Sequence, residues 1–127
     1  MRKPIRIVDP RSKIPLRVEF STYYYTGMLA AQLIADVEQP TVCADDPDEE
    51  IYPGDLWDDL TVNLPGYALP WRQSFVKDHL KRFVNLLAEQ GVLRVVDTVT
   101  YGNFNSRAYV VEFAEEYVPP FETLIEE

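Results

Sequence analysis

The residues of this chain that could do chemistry are mostly carboxylates, and they are concentrated in one short segment. Residues 44–59, here called the acidic segment, read ADDPDEEIYPGDLWDD, and eight of these sixteen side chains are acidic. The eight carboxylates are Asp45, Asp46, Asp48, Glu49, Glu50, Asp55, Asp58 and Asp59. Two prolines and a glycine interrupt the segment, and like charges at this density repel one another. The sequence therefore predicts an irregular, solvated loop.

Three interpretations of the acidic segment remain open from its sequence. A solvated loop of this kind can serve solubility alone, in an accessory or structural domain. Dense carboxylates can instead attract a basic protein and present negative charge as the phosphates of a nucleic acid do. The third interpretation is loose binding of a divalent cation, which would suit a metal-dependent enzyme.

A defined calcium site of the EF-hand type does not fit the acidic segment. Asp46, Asp48 and Glu50 match the first three ligand positions of an EF-hand loop. However, Ile51 stands where the loop needs glycine, and Trp57 stands where it needs a bidentate glutamate. We therefore predict no defined metal site in this segment.

Other catalytic and cofactor motifs are missing from the sequence. Zinc needs three or four ligands at defined spacing, whereas the chain contains one Cys and one His. The sequence has no GxxxxGK[ST], GxGxxG or GxSxG motif. Cys43 and His79 are a conceivable nucleophilic pair, but the acids that follow Cys43 would raise its pKa and disfavour the thiolate. We expect no catalytic residues, no metal and no cofactor, and therefore a protein that is not an enzyme.

The charge of the chain is unevenly distributed along its 127 residues, which sum to a net charge of −9. Residues 1–17 contain six basic side chains and one acid, whereas residues 18–71 contain eleven acids and no Lys or Arg. Phosphates repel a chain of this net charge, so direct binding of nucleic acid is disfavoured. The pattern favours a basic protein partner instead, such as a host complex that handles nucleic acid.

Aromatic residues close to the acids could anchor such a partner. Tyr23 and Tyr25 lie in a strand-like run of tyrosines, and Trp57 lies within the acidic segment. Tyr and Trp are enriched at protein interfaces, so we predict these three side chains as anchors. The chain has neither a signal core nor an apolar run of membrane-spanning length, which predicts a cytoplasmic protein with no membrane partner.

The periodicity of the sequence predicts the elements that position these residues. Residues 16–25 alternate as a strand does, and residues 28–37 follow across a turn at Thr26-Gly27. The composition of residues 28–37 also suits a helix, but the tight turn before them favours a returning strand. Residues 60–64 predict a short third strand, which Pro65-Gly66 ends.

The second half of the chain predicts a helix followed by a hairpin. Apolar residues from Val76 to Leu87 share one helical face, which predicts a helix over Ser74–Gln90 with Gly91 as its C-terminal residue. Two strands, Val92–Tyr101 and Ser106–Phe113, then flank a turn. The predicted fold class is α+β, in the order β-β-β-α-β-β, with one antiparallel sheet and one main amphipathic helix packed on it. This single domain carries a basic arm or edge segment (1–15), the acidic loop (44–59) and an acidic tail (114–127).

Two stretches of the sequence are similar to segments of known proteins. The first is Leu60-Thr61-Val62-Asn63-Leu64-Pro65, with the strand Gly27-Met28-Leu29-Ala30-Ala31-Gln32-Leu33 before it and the helix ending Gly91-Val92-Leu93 after it. The second is the turn Tyr101-Gly102-Asn103-Phe104-Asn105-Ser106-Arg107-Ala108-Tyr109. With these stretches the chain resembles a family of small proteins of unknown function carried by phages, plasmids and conjugative elements of gut and Gram-positive bacteria. The resemblance implies an origin in a mobile element and, by analogy, an antagonist of host defence of the anti-CRISPR kind. It implies no catalytic residues.

Overall fold

The structure is a computed structural model, and it describes residues 4–23, 26–64 and 66–120. These residues form nine strands, a single-turn 3₁₀ helix at Asp78–Leu80 and one α-helix. The bounds are β1 Arg6–Val8, β2 Pro15–Thr22, β3 Leu29–Ala35, β4 Thr41–Cys43, β5 Asp46–Ile51, β6 Leu56–Asp59, β7 Gln73–Lys77, α1 Lys81–Glu89, β8 Leu93–Tyr101 and β9 Ser106–Phe113. Neither helix in the described ranges is long and apolar enough to cross a membrane.

The α+β class is confirmed, but the prediction of one sheet with one main helix is wrong. The strands form three antiparallel sheets: four strands in the order β1-β2-β3-β6, the two-stranded hairpin β4-β5, and three strands in the order β7-β9-β8. The nine-residue helix α1 is too short to cover them all. The sheets bury much of their apolar surface against one another instead, and one large cluster of buried side chains draws on residues from Ile5 to Val118.

The predicted hairpin of residues 16–25 and 28–37 is confirmed as β2 and β3. The two strands pair antiparallel from Leu16↔Ala35 to Thr22↔Leu29. The alternative helix for the second segment is wrong, because every residue of β3 except Gln32 is buried. A strand with apolar side chains on both faces fits between two layers of the fold. Its apolar composition alone did not distinguish this strand from a buried helix.

Residues 1–15 were predicted to form a basic arm or an edge segment, and the described part of this region contains an edge strand with one face in the core. β1 pairs with β2, and Ile5, Ile7 and Ile14 are buried. Basic side chains alternate with these isoleucines, so the sequence has the two-residue period of a strand. The net charge of the region does not reveal this alternation. An edge strand with one buried face is the physical result.

Strand β9 lies in the middle of the three-stranded sheet, and apolar side chains on both of its faces are buried. Tyr109, Val111 and Phe113 face the large cluster, and Phe113 meets Phe20 edge to face at 5.1 Å between ring centroids. Ala108 and Val110 face a second, smaller cluster on the other side of the sheet. The predicted hairpin of β8 and β9 is thus confirmed, with its turn at residues 102–105.

The helix predicted over Ser74–Gln90 begins seven residues later, at Lys81, and residues 73–77 form β7. Phe75 pairs with Val110 of β9, and Val76 pairs with Tyr109. Phe75 and Val76 lie on opposite faces, one in each cluster. The Ser74 hydroxyl donates to the Leu29 carbonyl at 3.0 Å and does not cap a helix. Pairing with β9 therefore overrides the helical spacing of the apolar residues.

The C-terminal end of the helix is as predicted, and two neighbouring predictions are corrected. Gly91 follows α1 with a φ of 74°, which suits a glycine. The strand predicted at residues 60–64 reduces to one bridge between Val62 and Phe75. Of the predicted acidic tail, residues 114–120 are described, and Val118 is buried in the large cluster. Residues 121–127 lie outside the described ranges.

We predict that Phe113→Ala lowers the free energy of unfolding by about 3–5 kcal/mol, because it removes a fully buried ring between β9 and β2. Urea unfolding followed by circular dichroism measures this loss. Phe104→Ala is the matched control, since the Phe104 ring is 93% exposed and its removal should change stability little. Equal effects of the two substitutions would contradict the position of Phe113 in the core.

Candidate functional site

The acidic segment is ordered by buried apolar residues at both of its ends and in its middle. Cys43, Ile51 and Leu60 are all part of the large cluster. Between Cys43 and Ile51 the chain forms the β4-β5 hairpin, and between Ile51 and Leu60 it forms β6 against β3. The prediction of an irregular loop is therefore wrong. Burial of these three side chains stabilises strands that the repelling charges alone would not form.

Backbone hydrogen bonds fix the two turns of the segment. The Ala44 amide donates to the Ser12 carbonyl at 2.7 Å, which ties the β4-β5 hairpin to the first turn of the chain. The Gly54 amide donates to the Ala35 carbonyl at 3.0 Å, and the Asp55 carbonyl accepts from the Ala35 amide at 2.8 Å. The carboxylates are thus presented from a hairpin and an edge strand with defined geometry.

All eight carboxylates of the segment are exposed. Within residues 4–23, 26–64 and 66–120, no Lys, Arg or His forms an ion pair with any of them. They form hydrogen bonds with uncharged groups: the Asp46 carboxylate accepts from the Asp48 amide, the Asp59 carboxylate accepts from the Gln32 side chain at 3.1 Å, and Glu50 is hydrogen-bonded to Tyr52. The negative charge of the segment is therefore not neutralised by this part of the protein.

The basic residues near the N-terminus pair with other acids. Arg6 contacts Asp36 at 2.8 Å, and Arg17 contacts both Asp36 and Glu19. Because these arginines lie on β1 and β2, they reach acids on their own sheet rather than those of the β4-β5 hairpin. These arginines therefore pair with acids that lie outside the acidic segment.

Among the described residues, Asp9 is the one buried carboxylate, and it is paired with Arg82. Its side chain is 1% exposed and accepts from the Arg82 Nε at 3.0 Å and from the Ser12 hydroxyl at 2.9 Å. Burial alone would raise the pKa of Asp9, but Arg82, the Arg11 amide and Ser12 together hold that pKa below its ordinary value. This contact joins the β1-β2 turn to helix α1.

Titrating groups beside the acidic segment respond to its negative potential. Burial first, and then the charges of Glu49, Asp45 and Asp46, raise the pKa of the Cys43 thiol. A hydrogen bond to Glu50, with the charges of Glu50 and Asp55, raises the pKa of Tyr52. The raised thiol pKa agrees with the expectation that Cys43 is a poor nucleophile.

The three predicted anchors differ in their placement. Trp57 lies on β6, half-buried, and packs against the large cluster. Tyr23 is also half-buried, and its hydroxyl lies 2.7 Å from the Thr61 hydroxyl. Burial raises the pKa of Tyr23, and the charge of Asp59 adds to that effect. Tyr25 lies outside the described residues.

A cleft of about 420 Å³ brings two of the predicted acids together with residues that sequence reasoning did not connect to them. Asp58, Asp59 and Tyr23 line it, and so do Lys77 and His79 from the end of β7 and the 3₁₀ turn. No local signal could reveal this grouping, because the cleft forms where the four-stranded and three-stranded sheets meet. Cys43 does not line it, so the cleft does not hold the pair that the sequence suggested.

In residues 4–23, 26–64 and 66–120, no group of three or more His, Cys, Asp or Glu side chains could hold a metal ion. Six of the eight carboxylates are distributed over β5 and β6, and Asp45 and Asp55 each lie just before one of these strands. An arrangement of this kind presents charge outward rather than enclosing a cation.

No protein-family model, no curated protein and no solved structure matches the chain. The resemblance to proteins of mobile elements therefore stays a prediction.

We predict that Asp9→Asn lowers the free energy of unfolding by roughly 1–3 kcal/mol at pH 7, because a buried charge-assisted contact is lost. The folded-state pKa of Asp9 lies below its ordinary value of 3.8. Its contribution is therefore complete above that ordinary pKa and disappears as the pH falls through the folded-state value. Urea unfolding of both proteins from pH 7 to pH 2 measures the difference, which should shrink toward the acid end.

Glu19→Gln is the control for this experiment, since it removes an exposed ion pair with Arg17. Its effect should stay below about 1 kcal/mol. A difference between wild type and Asp9→Asn that does not change with pH would contradict the role assigned to the Asp9 charge.

Proposed function

We propose that this chain is a non-enzymatic interaction protein, which binds a basic protein that handles nucleic acid. The observation that supports this proposal is the exposure of eight carboxylates without a compensating cation in the described structure. A surface with this potential attracts a basic partner over a distance and accelerates encounter. The proposed setting is the cytoplasm.

The charge density of β5 supports imitation of nucleic acid. Four of its first five residues are acidic: Asp46, Asp48, Glu49 and Glu50. A β-strand rises about 3.3 Å per residue, and each strand of DNA carries one charge per about 3.4 Å of helix axis. The acidic part of β5 thus approaches the linear charge density of one DNA strand. A protein groove that binds phosphates would meet a similar density of negative charge on this hairpin.

Apolar contacts of aromatic side chains would add to the affinity that electrostatic attraction gives the complex. Trp57 lies on β6 between the exposed Leu56 and Asp58, and Tyr23 lies in the cleft that Asp58 and Asp59 also line. Aromatic side chains at the centre of a charged surface are the common anchors of protein interfaces. With the resemblance to proteins of mobile elements, this arrangement supports an antagonist of host defence, of the anti-CRISPR or DNA-mimic type, as the biological role.

We predict that the tagged protein captures a nucleic-acid-binding protein from a bacterial lysate at low salt. High salt should release this protein because exposed charges are screened, and added duplex DNA should displace it because both ligands occupy the same basic surface. Pull-down with mass spectrometry, repeated with a DNA titration, measures both effects. Replacing all eight carboxylates by their amides should abolish the capture.

A matched pair of variants distinguishes the effect of the charges on the acidic segment from the effect of the net charge of the whole chain. One variant changes Asp46, Asp48, Glu49 and Glu50 of β5 to amides; the control changes Glu19, Glu38, Glu89 and Glu115, which are also exposed. Both variants remove four charges, and capture should fall by at least about tenfold in the first variant alone. Equal losses would support a role in solubility only. Hydrolysis that requires Mg²⁺ or Mn²⁺ would support a metal-dependent enzyme instead.

A further inference from the structure

The outer edge of β8 is the longest unpaired strand edge in the described structure. β8 spans nine residues, Leu93–Tyr101, and in the order β7-β9-β8 it pairs with β9 on one side only. Such an edge presents backbone N–H and C=O groups that are free to pair with another strand. The Tyr67 hydroxyl donates to the Thr100 carbonyl at 3.4 Å, so the loop before β7 covers the far end of the edge. The open part therefore runs from Leu93 to Val99.

This open part is unusually apolar for an exposed strand. Val95 is 46% exposed and Val96 is 38% exposed. β-Branched residues favour strand pairing, and β8 contains neither Lys nor Pro; a bulge and the charges of Arg94 and Asp97 restrict which strand can pair with this edge. The exposed valines lie at the centre of the open part, where a pairing strand would cover them.

A bulge in β8 places two opposite charges on the same face of the sheet. Arg94 pairs with Glu112 of β9, and Asp97 pairs with Val110, so the extra residue of the bulge is Val96. Because Glu112 and Val110 are two positions apart on β9, Arg94 and Asp97 share a face despite their odd spacing. Arg94 already donates to Glu112, and its guanidinium has further N–H groups for a second carboxylate.

We propose that this edge pairs with the β8 edge of a second copy of the chain, antiparallel and about a two-fold axis. A two-fold interface requires self-complementarity: if residue i meets residue j, then j also meets i. Arg94 opposite Asp97 of the second copy satisfies this requirement twice, once on each side of the axis. The same register brings Val95 opposite Val96 of the second copy at the axis, where both become covered.

Electrostatics favour this edge over the other surfaces of the chain. Two copies that each carry a net charge of −9 repel one another, and the acidic segment would be the worst place for them to meet. The β8-β9 hairpin, residues 93–113, contains two arginines and two acids, so its net charge is zero. Close approach through this hairpin therefore costs the least repulsion. The inference does not depend on the proposed function.

Sedimentation velocity of the full chain over a wide range of concentration tests the proposal. Wild type should show a concentration-dependent shift from monomer to dimer. Val96→Lys should weaken dimerisation by roughly tenfold or more, because it buries a charge at the axis. Val42→Lys is the matched control: Val42 is 50% exposed on β4, outside the proposed interface, and its replacement should leave the dimer unchanged.

A charge swap tests the register. Arg94→Asp and Asp97→Arg should each weaken dimerisation by roughly tenfold, because each places two like-charge pairs across the interface. The double variant Arg94→Asp/Asp97→Arg should dimerise more tightly than either single variant, because both pairs across the interface are again of opposite charge, although the contact of Arg94 with Glu112 within each copy is lost. Circular dichroism verifies that every variant is folded. A wild type that stays monomeric at all concentrations overturns the proposal, and so does a double variant as weak as the single ones.

Discussion

Three buried apolar side chains hold the acidic segment in place against the mutual repulsion of its own carboxylates. Burial of a side chain such as Ile51 or Leu60 stabilises a protein by about 1.5–3 kcal/mol, whereas an interaction between exposed charges is worth less than about 1 kcal/mol. The apolar anchors therefore decide the outcome, and the segment forms strands. What would otherwise be a mobile run of charges becomes a surface with fixed geometry, which is the property that recognition of a partner requires.

The distribution of ion pairs gives this surface its potential. Acids that lie near arginines in the folded protein are paired: Asp36 with Arg6 and Arg17, and the buried Asp9 with Arg82. The contact between Asp9 and Arg82 connects the first turn to helix α1, and the contact between Arg6 and Asp36 connects β1 to the residue that follows β3. The carboxylates of β5 and β6 are exposed, and among the described residues none of them forms an ion pair. Stability and the proposed recognition thus draw on separate sets of acids.

The three-stranded sheet links the two apolar clusters and leaves one edge open. β9 and β7 bury both faces, so they must lie between two layers, while β8 projects beyond the second layer with its outer edge exposed. The neutral β8-β9 hairpin and the acidic β4-β5 hairpin belong to different sheets. We propose the acidic hairpin as the surface that meets a basic partner and the β8 edge as the surface that meets a second copy of the chain.

Local sequence patterns determined the α+β class, the β2-β3 and β8-β9 hairpins, the helix end at Gly91 and the concentration of acids in residues 44–59. These features depend on residues close in the chain, where turn residues and side-chain periodicity act directly. The tertiary structure alone decided that residues 73–77 are a strand and that the acidic segment is ordered. It also decided which acids are neutralised, since Arg82 reaches Asp9 across 73 residues. Such contacts form only after the sheets assemble, and no local pattern encodes them.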